Sequence, residues 1–143
     1  MTVEIMELTS TEDFRRAHPV MNELRTHLMD LDEYEAALGD MRRDGYRLFA
    51  ALANNEIVAL AGIAIRTNFY YGKYLYVYDL VTTESGRSKG FGKALLDAMN
   101  ELARAENCDT IALSSGFQRT DAHRFYEDKM GYERVSYVFK KEL

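Results

Sequence analysis

Thr82-Thr83-Glu84-Ser85-Gly86-Arg87-Ser88-Lys89-Gly90-Phe91-Gly92-Lys93 joins an apolar, aromatic-rich run (residues 74–81) to a helical pattern (residues 91–106). A strand that turns through glycines into a helix presents backbone N–H groups that lack intrahelical acceptors. The positive end of the helix dipole stands behind them. Such an end accepts a phosphate anion, and Arg87, Lys89 and Lys93 add positive charge at the same place. The stretch therefore reads as a pyrophosphate-binding turn. An ordinary strand-to-helix turn would carry the same glycines, so spacing and the rest of the chain have to decide.

Spacing removes two phosphate loops. A Walker loop places four residues between its first glycine and Gly-Lys, then Ser or Thr. Here five residues separate Gly86 from Gly92, and Ala94 follows Lys93. The dinucleotide fingerprint wants a third glycine or alanine where Leu95 stands. What remains is Arg-x-x-Gly-x-Gly, from Arg87 to Gly92.

A second motif lies downstream. Phe125-Tyr126-Glu127-Asp128-Lys129-Met130-Gly131-Tyr132 follows Ala122. Ala122, Phe125, Tyr126 and Met130 sit at helical spacing, and Gly131 supplies the left-handed residue that ends a helix. Residues 132–140 then alternate as a strand would. Phosphate turn, helix, strand, a helix bearing Phe-Tyr-Glu and a closing Gly-Tyr together resemble the GNAT superfamily of acyl-CoA-dependent N-acetyltransferases. The resemblance covers about the C-terminal half, from Lys73 onward.

The resemblance implies the site. The N–H groups of Ser88, Lys89, Gly90, Phe91, Gly92 and Lys93, entered through Arg87, would hold the pyrophosphate of acetyl-CoA. Gly90 and Gly92 would keep Cβ atoms away from the phosphates. The strand ahead of the loop would splay from the next, letting the pantetheine arm pair with its exposed backbone. That strand end maps to Leu80, Val81 and Thr82, where a backbone N–H would also stabilise the oxyanion. Three positions depart from the family pattern. Ser88 stands where glycine is usual, Thr83 where proline is common, and Arg119 where asparagine often contacts the cofactor. A loop that works through backbone N–H groups tolerates the first two, and Arg119 could reach the phosphates by charge.

Acetyl transfer needs a neutral amine, donors for the oxyanion and a proton for the departing thiolate. Tyr126 is the candidate for the last, because a phenol with a pKa of about 10 is a donor at neutral pH. The alternative is a half-buried aromatic with a solvated hydroxyl; the family motif favours the acid. An alkylammonium has a pKa of about 10, so a base is also required. Asp79 is the first choice, with a structural or substrate-orienting role as its alternative, and Glu84 the second. Ser114 sits where some relatives carry a catalytic glutamate and cannot act as a base.

Other residues carry less. Cys108 opens a predicted strand with no base at a telling distance, so a covalent acetyl-enzyme is not expected. His18, His27 and His123 form no metal-ligand pattern with it, and no metal is expected. Tyr74, Tyr76 and Tyr78 share one strand face by period two; they either line an acceptor pocket or pack under the first two helices, and packing is the expectation. Asp30, Asp32, Glu33 and Glu35 could draw a cationic amine, although a charge run is usually a solvated helix face.

A chain of 143 residues with one proline and nine glycines suits a single domain spanning residues 1–143. The net charge of −5 speaks against general nucleic-acid binding. No apolar run reaches a membrane span and no leader is visible. One cysteine fits the cytoplasm. Strands are predicted at residues 3–8, 46–53, 56–65, 73–83, 109–115 and 132–140, with Asn54-Asn55 as a hairpin turn. Helices are predicted at residues 14–28 (started by Ser10 and interrupted near Pro19), 34–43 and 91–106. The fold expectation is a mixed α/β sandwich, with a central, largely antiparallel sheet flanked by helices on both faces. The expected activity is acetyl transfer from acetyl-CoA to a primary amine, direct within a ternary complex and favouring a small molecule. A protein or peptide acceptor and a non-catalytic acyl-CoA sensor are the rivals, and the resemblance implies a homodimer.

Overall fold

Asn54 and Asn55 both take positive φ, 52° and 64°, the backbone of a primed two-residue turn. They close the hairpin between β2 (Arg47–Ala53) and β3 (Glu56–Asn68). β1 (Glu4–Leu8), β4 (Gly72–Thr82) and β5 (Thr110–Leu113) complete a sheet of order β1-β2-β3-β4-β5. The first three pairings are antiparallel; β5 runs parallel to β4. The computed structural model describes residues 2–24 and 29–143. They divide into two compact units, residues 1–112 and residues 113–143.

In the first unit, helices cover both faces of the sheet. α1 (Thr11–Asn22) and α2 (Leu31–Arg43) start on caps, with Ser10 accepting from the Asp13 N–H and Asp30 from the Glu33 N–H. Such caps contribute about 1 kcal/mol each. Phe14, Ala17, Val20 and Met21 of α1 and Tyr34 and Leu38 of α2 share a core with Leu48, Ala50, Leu52, Leu60 and Val81 of the sheet. α3 (Phe91–Ala105) lies against β3 and β4 from the other side. Its apolar stripe is largely buried: Leu95 and Leu96 are 0% exposed and Met99 is 1%. We expect Met99→Ala to cost about 2–5 kcal/mol through the cavity it leaves, measured by urea unfolding.

Two expectations change here. Pro19 lies inside α1 without interrupting it. The helix ends three residues later, so little of it depends on the ring's missing N–H, and Val20 and Met21 hold that last turn in the core. The predicted extension of this helix falls on residues 25–28, outside the described residues. β3 runs on to Asn68 rather than stopping at Ile65, because it pairs with β4 over that length.

In the second unit, α4 (Thr120–Arg124) continues into a π-helical turn, Phe125–Lys129, closed by a bond from the Met130 N–H to the Phe125 carbonyl at 3.2 Å. Gly131 then leaves the helix at φ 77°, as expected. The predicted strand at residues 132–140 is not formed. Its alternating side chains are present, with Val135, Tyr137 and Phe139 exposed. A strand, however, is made by backbone pairing, which side-chain period does not secure. Among the described residues no helix is long and apolar enough to cross a membrane.

Candidate functional site

The glycine turn after β4 enters α3 through residues of positive φ, and its two glycines serve different ends. β4 stops at Thr82, and Thr83 caps a 3-10 turn, Glu84–Gly86, by accepting from the Gly86 N–H. Ser88 and Gly90 then take positive φ, 64° and 82°. Gly90 is the N-cap residue of α3 in the left-handed region, and no side chain caps that helix. No acidic side chain occupies its first turn. The opening N–H groups of α3 thus meet no competing carboxylate or hydroxyl cap, as an anion site requires. A Cβ on Gly90 would meet nothing within 4 Å, so glycine is needed there for its φ. A Cβ on Gly92 would come 3.1 Å from the Thr82 hydroxyl oxygen, so glycine there lets the helix start sit against the end of β4.

These features fit a pyrophosphate. Arg87, Lys89 and Lys93 are not buried, although Lys93 shares its charge with Asp97 at 2.7 Å. On the flank of the turn lies an open recess of ≈ 550 Å³ lined by Glu23, Glu56, Ile57, Thr83, Glu84 and Ser85. Its three carboxylates make it a poor host for an anion. Glu23 is already engaged there, accepting from the Glu84 N–H at 2.8 Å. Glu84 itself is exposed.

β5 begins beside Lys73, whose carbonyl accepts from the Asp109 N–H at 3.1 Å. It is four residues long, whereas β4 runs on to Thr82. Leu80, Val81 and Thr82 therefore lie on the stretch of β4 past the reach of β5. Their other edge is paired with Ala61, Leu60 and Ala59 of β3.

Asp79 occupies a position that period two does not give. Gly62 faces Asp79 and Ile63 faces Val77, so Tyr78 is an extra residue in β4. Such a bulge re-aims the side chains beyond it. Leu75 and Val77 belong to one face, yet Asp79 turns to the face carrying α1 and α2. There the Tyr46 hydroxyl donates to its Oδ2 at 2.7 Å. Both residues are buried, Tyr46 at 5% exposed and Asp79 at 3%. Gly62 makes the contact possible: a Cβ there would lie 1.7 Å from the Tyr46 hydroxyl oxygen. Neither Tyr46 nor Gly62 was singled out from sequence. The only signal was a glycine inside a strand pattern, which marks a bulge or a close approach.

The tyrosines of β4 do not pack under the first two helices as expected. Tyr70, Tyr71, Tyr74, Tyr76 and Tyr78 stack in a chain of ring contacts with centroids 4.8 to 6.4 Å apart. Tyr78 also meets Tyr46 at 6.0 Å. Tyr78 is 41% exposed and carries the Arg66 guanidinium 5.9 Å above its ring. None of these rings is among the buried residues of the core beneath α1 and α2, although Tyr74 and Tyr76 share the sheet face on which Asp79 lies.

In the second unit, Tyr126 and Arg119 come together. Tyr126 is buried, and burial pushes its hydroxyl above the ordinary 10.0, while Arg119 pulls it back by charge and hydrogen bonding. Its ring lies 5.7 Å from that of Tyr132, and the Tyr132 N–H donates to the Tyr126 carbonyl at 2.9 Å. The phenol is thus a protonated donor at neutral pH.

The remaining candidates recede. Burial raises the Cys108 thiol, which disfavours a thiolate nucleophile. His18 bonds the Met29 carbonyl at 2.7 Å and His123 the Gly116 carbonyl at 2.8 Å; His27 lies outside the described residues. No group of three potential metal ligands occurs among the described residues. Asp30 is spent on its cap and Glu35 on Arg15 at 2.6 Å. Ser114 is exposed at the end of β5.

Comparison with known proteins gives a consistent picture. The acetyltransferase (GNAT) family model matches residues 4–132. The chain is 44% identical over 142 residues to the uncharacterized N-acetyltransferase YhdJ of Bacillus subtilis, covering 99% of each. It is 28% identical over 138 residues to the aminoalkylphosphonate N-acetyltransferase of Salmonella typhimurium, covering 94% of this chain and 88% of that one. Among solved structures, AAC(6')-Iy bound to a CoA bisubstrate analogue superposes with a TM-score of 0.85 at 16% identity, over 100% of this chain and 99% of that one. At that identity the likeness is one of fold.

Proposed function

The chain belongs to the acetyltransferase (GNAT) family, and on that premise we propose that it moves the acetyl group of acetyl-CoA directly to the primary amine of a small molecule. The observation that carries this reading is the start of α3, which has no side-chain cap and no acidic residue in its first turn, behind two residues of positive φ. Ser88, Lys89, Gly90, Phe91, Gly92 and Lys93 would bind the pyrophosphate through N–H groups, with Arg87 adding charge. The end of β4, Leu80 to Thr82, would offer backbone to the pantetheine arm and a donor to the thioester oxygen. Asp79 would accept the proton of the amine, and Tyr126 would give one to the departing thiolate. Arg119, beside Tyr126, would favour the phenolate left by that step.

A small acceptor is preferred because the Salmonella relative, named for aminoalkylphosphonates, aligns with nearly the whole chain. The tyrosine chain, with Arg66 over the ring of Tyr78, offers a ring surface and a cation of the kind such an acceptor needs. The test is acetyl-CoA-dependent thiol release against a panel of aminoalkylphosphonates, aminoglycosides, polyamines, amino acids and short peptides. Turnover with one small-amine class is the expected result. Turnover with peptides alone would reassign the acceptor; acetyl-CoA binding without turnover on any amine would indicate a sensor. Absence of acetyl-CoA binding would overturn the reading. The same proposal treats residues 1–143 as one domain acting in the cytoplasm as a homodimer, and sedimentation checks the last point.

A further inference from the structure

We propose that Tyr46 is a positioning residue for Asp79, holding its carboxylate in the orientation in which it takes the proton from the acceptor amine. The inference rests on the reading of Asp79 as the base. Three independent features converge on one hydrogen bond. The bulge at Tyr78 turns Asp79 off the α3 face. Gly62 clears the volume that the Tyr46 hydroxyl occupies. Tyr46, which precedes β2, then donates to Asp79 Oδ2 at 2.7 Å.

As a stabilising device the pair is poor. Tyr46 sits in an apolar core with Leu48, Leu60 and Val81, where a carboxylate and a phenol lose hydration and an apolar pair of equal volume would do as well or better. Glycine at position 62, inside a strand, adds a further cost. An arrangement that sacrifices stability at both positions to fix one carboxylate oxygen is the pattern of a site. In the step concerned, an N–H bond of the ammonium breaks and its electron pair stays on nitrogen for attack on the acetyl carbonyl. The proton passes to Asp79 and from there to solvent. Tyr46 neither gains nor loses a proton; its hydroxyl fixes the direction of the carboxylate.

The titratable and charged groups on this face include Tyr46 itself, Arg66 on β3, Tyr74, Tyr76 and Tyr78 on β4, and Asp44 and Tyr34 from α2 and its C-cap. Arg66 is paired with Asp44 at 3.2 Å and bonds the Tyr78 hydroxyl at 3.2 Å. The Tyr34 hydroxyl donates to the Phe14 carbonyl at 2.7 Å. The Tyr46 hydroxyl donates to the carboxylate.

The experiment measures kcat, both KM values and the pH profile for the wild type, Tyr46→Phe and Asp79→Asn, with the best amine found. Tyr46→Phe is expected to lower kcat about tenfold while both KM values stay within about twofold. A phenol that donates to a carboxylate favours its ionised form, so the acidic limb of kcat/KM should move up by about one pH unit. Replacing Tyr46 with 3-fluorotyrosine, a more acidic phenol of nearly the same shape, should move that limb the opposite way. This second variant keeps the test alive if the Phe variant folds poorly. A pH profile unmoved in both variants, or a loss equal at every pH, overturns the role of Tyr46. If Asp79→Asn is at least about 100-fold impaired in that case, the reading of Asp79 stands alone. Asp79→Asn with wild-type turnover would remove the base and this inference together.

Discussion

Tyr126→Phe should lower kcat by about 100-fold or more and leave acetyl-CoA affinity within about twofold. The substitution removes one oxygen and keeps the ring, so the contacts with Phe125 and Tyr132 persist. What disappears is the proton donor. Burial raises the hydroxyl above 10.0 and Arg119 draws it back, so across the neutral range the donor form dominates. Arg119 acts in the other direction, since its cation would favour the phenolate that donation leaves behind. An interaction made only as the thiolate departs affects kcat and spares ground-state binding. Calorimetry with acetyl-CoA beside steady-state kinetics checks both halves. Turnover equal to wild type would remove Tyr126 from the mechanism; weakened binding with unchanged kcat would make it a packing residue.

Gly90→Ala should weaken acetyl-CoA binding by about 10- to 100-fold, the loss of one or two charge-assisted hydrogen bonds. Alanine meets no neighbour at position 90, so crowding is not the cause. A φ of 82° is unfavourable for a residue with a Cβ, and the backbone relaxes by turning the N–H row at the start of α3. Gly72 is the control. It has φ 73° and equally open space, in the hairpin between β3 and β4. Gly72→Ala should cost similar stability and leave cofactor affinity unchanged. Equal affinity losses in both variants, or none in either, would show that the turn at Gly90 does not bind the pyrophosphate.

Much of the fold was legible because it depended on local rules. Asn54-Asn55 closes its hairpin since both residues accept positive φ. Ser10 caps α1, and the 3.6-residue stripe of α3 is buried as its spacing required. Gly131 ends its helix in the left-handed region. The exceptions were non-local. Pro19 is carried through α1 because tertiary burial of Val20 and Met21 outweighs a local breaker. The alternating tail at residues 132–140 did not become a strand, since alternation describes side chains and a strand is made by a partner.

The candidate site divides in the same way. The sequence alone determined the glycine turn proposed to hold the pyrophosphate. A glycine that must adopt positive φ, a helix start without a cap and nearby cations are properties of neighbouring residues, readable within a dozen positions. The tertiary structure alone decided where Asp79 points and what holds it. Period two assigns Asp79 to the face of Leu75 and Val77, and one extra residue in β4, set by pairing with β3, moves it to the other. Its partner Tyr46 is 33 residues away and the glycine that admits that partner lies on β3. Register between strands is fixed by the packing of whole faces, and no local pattern encodes it.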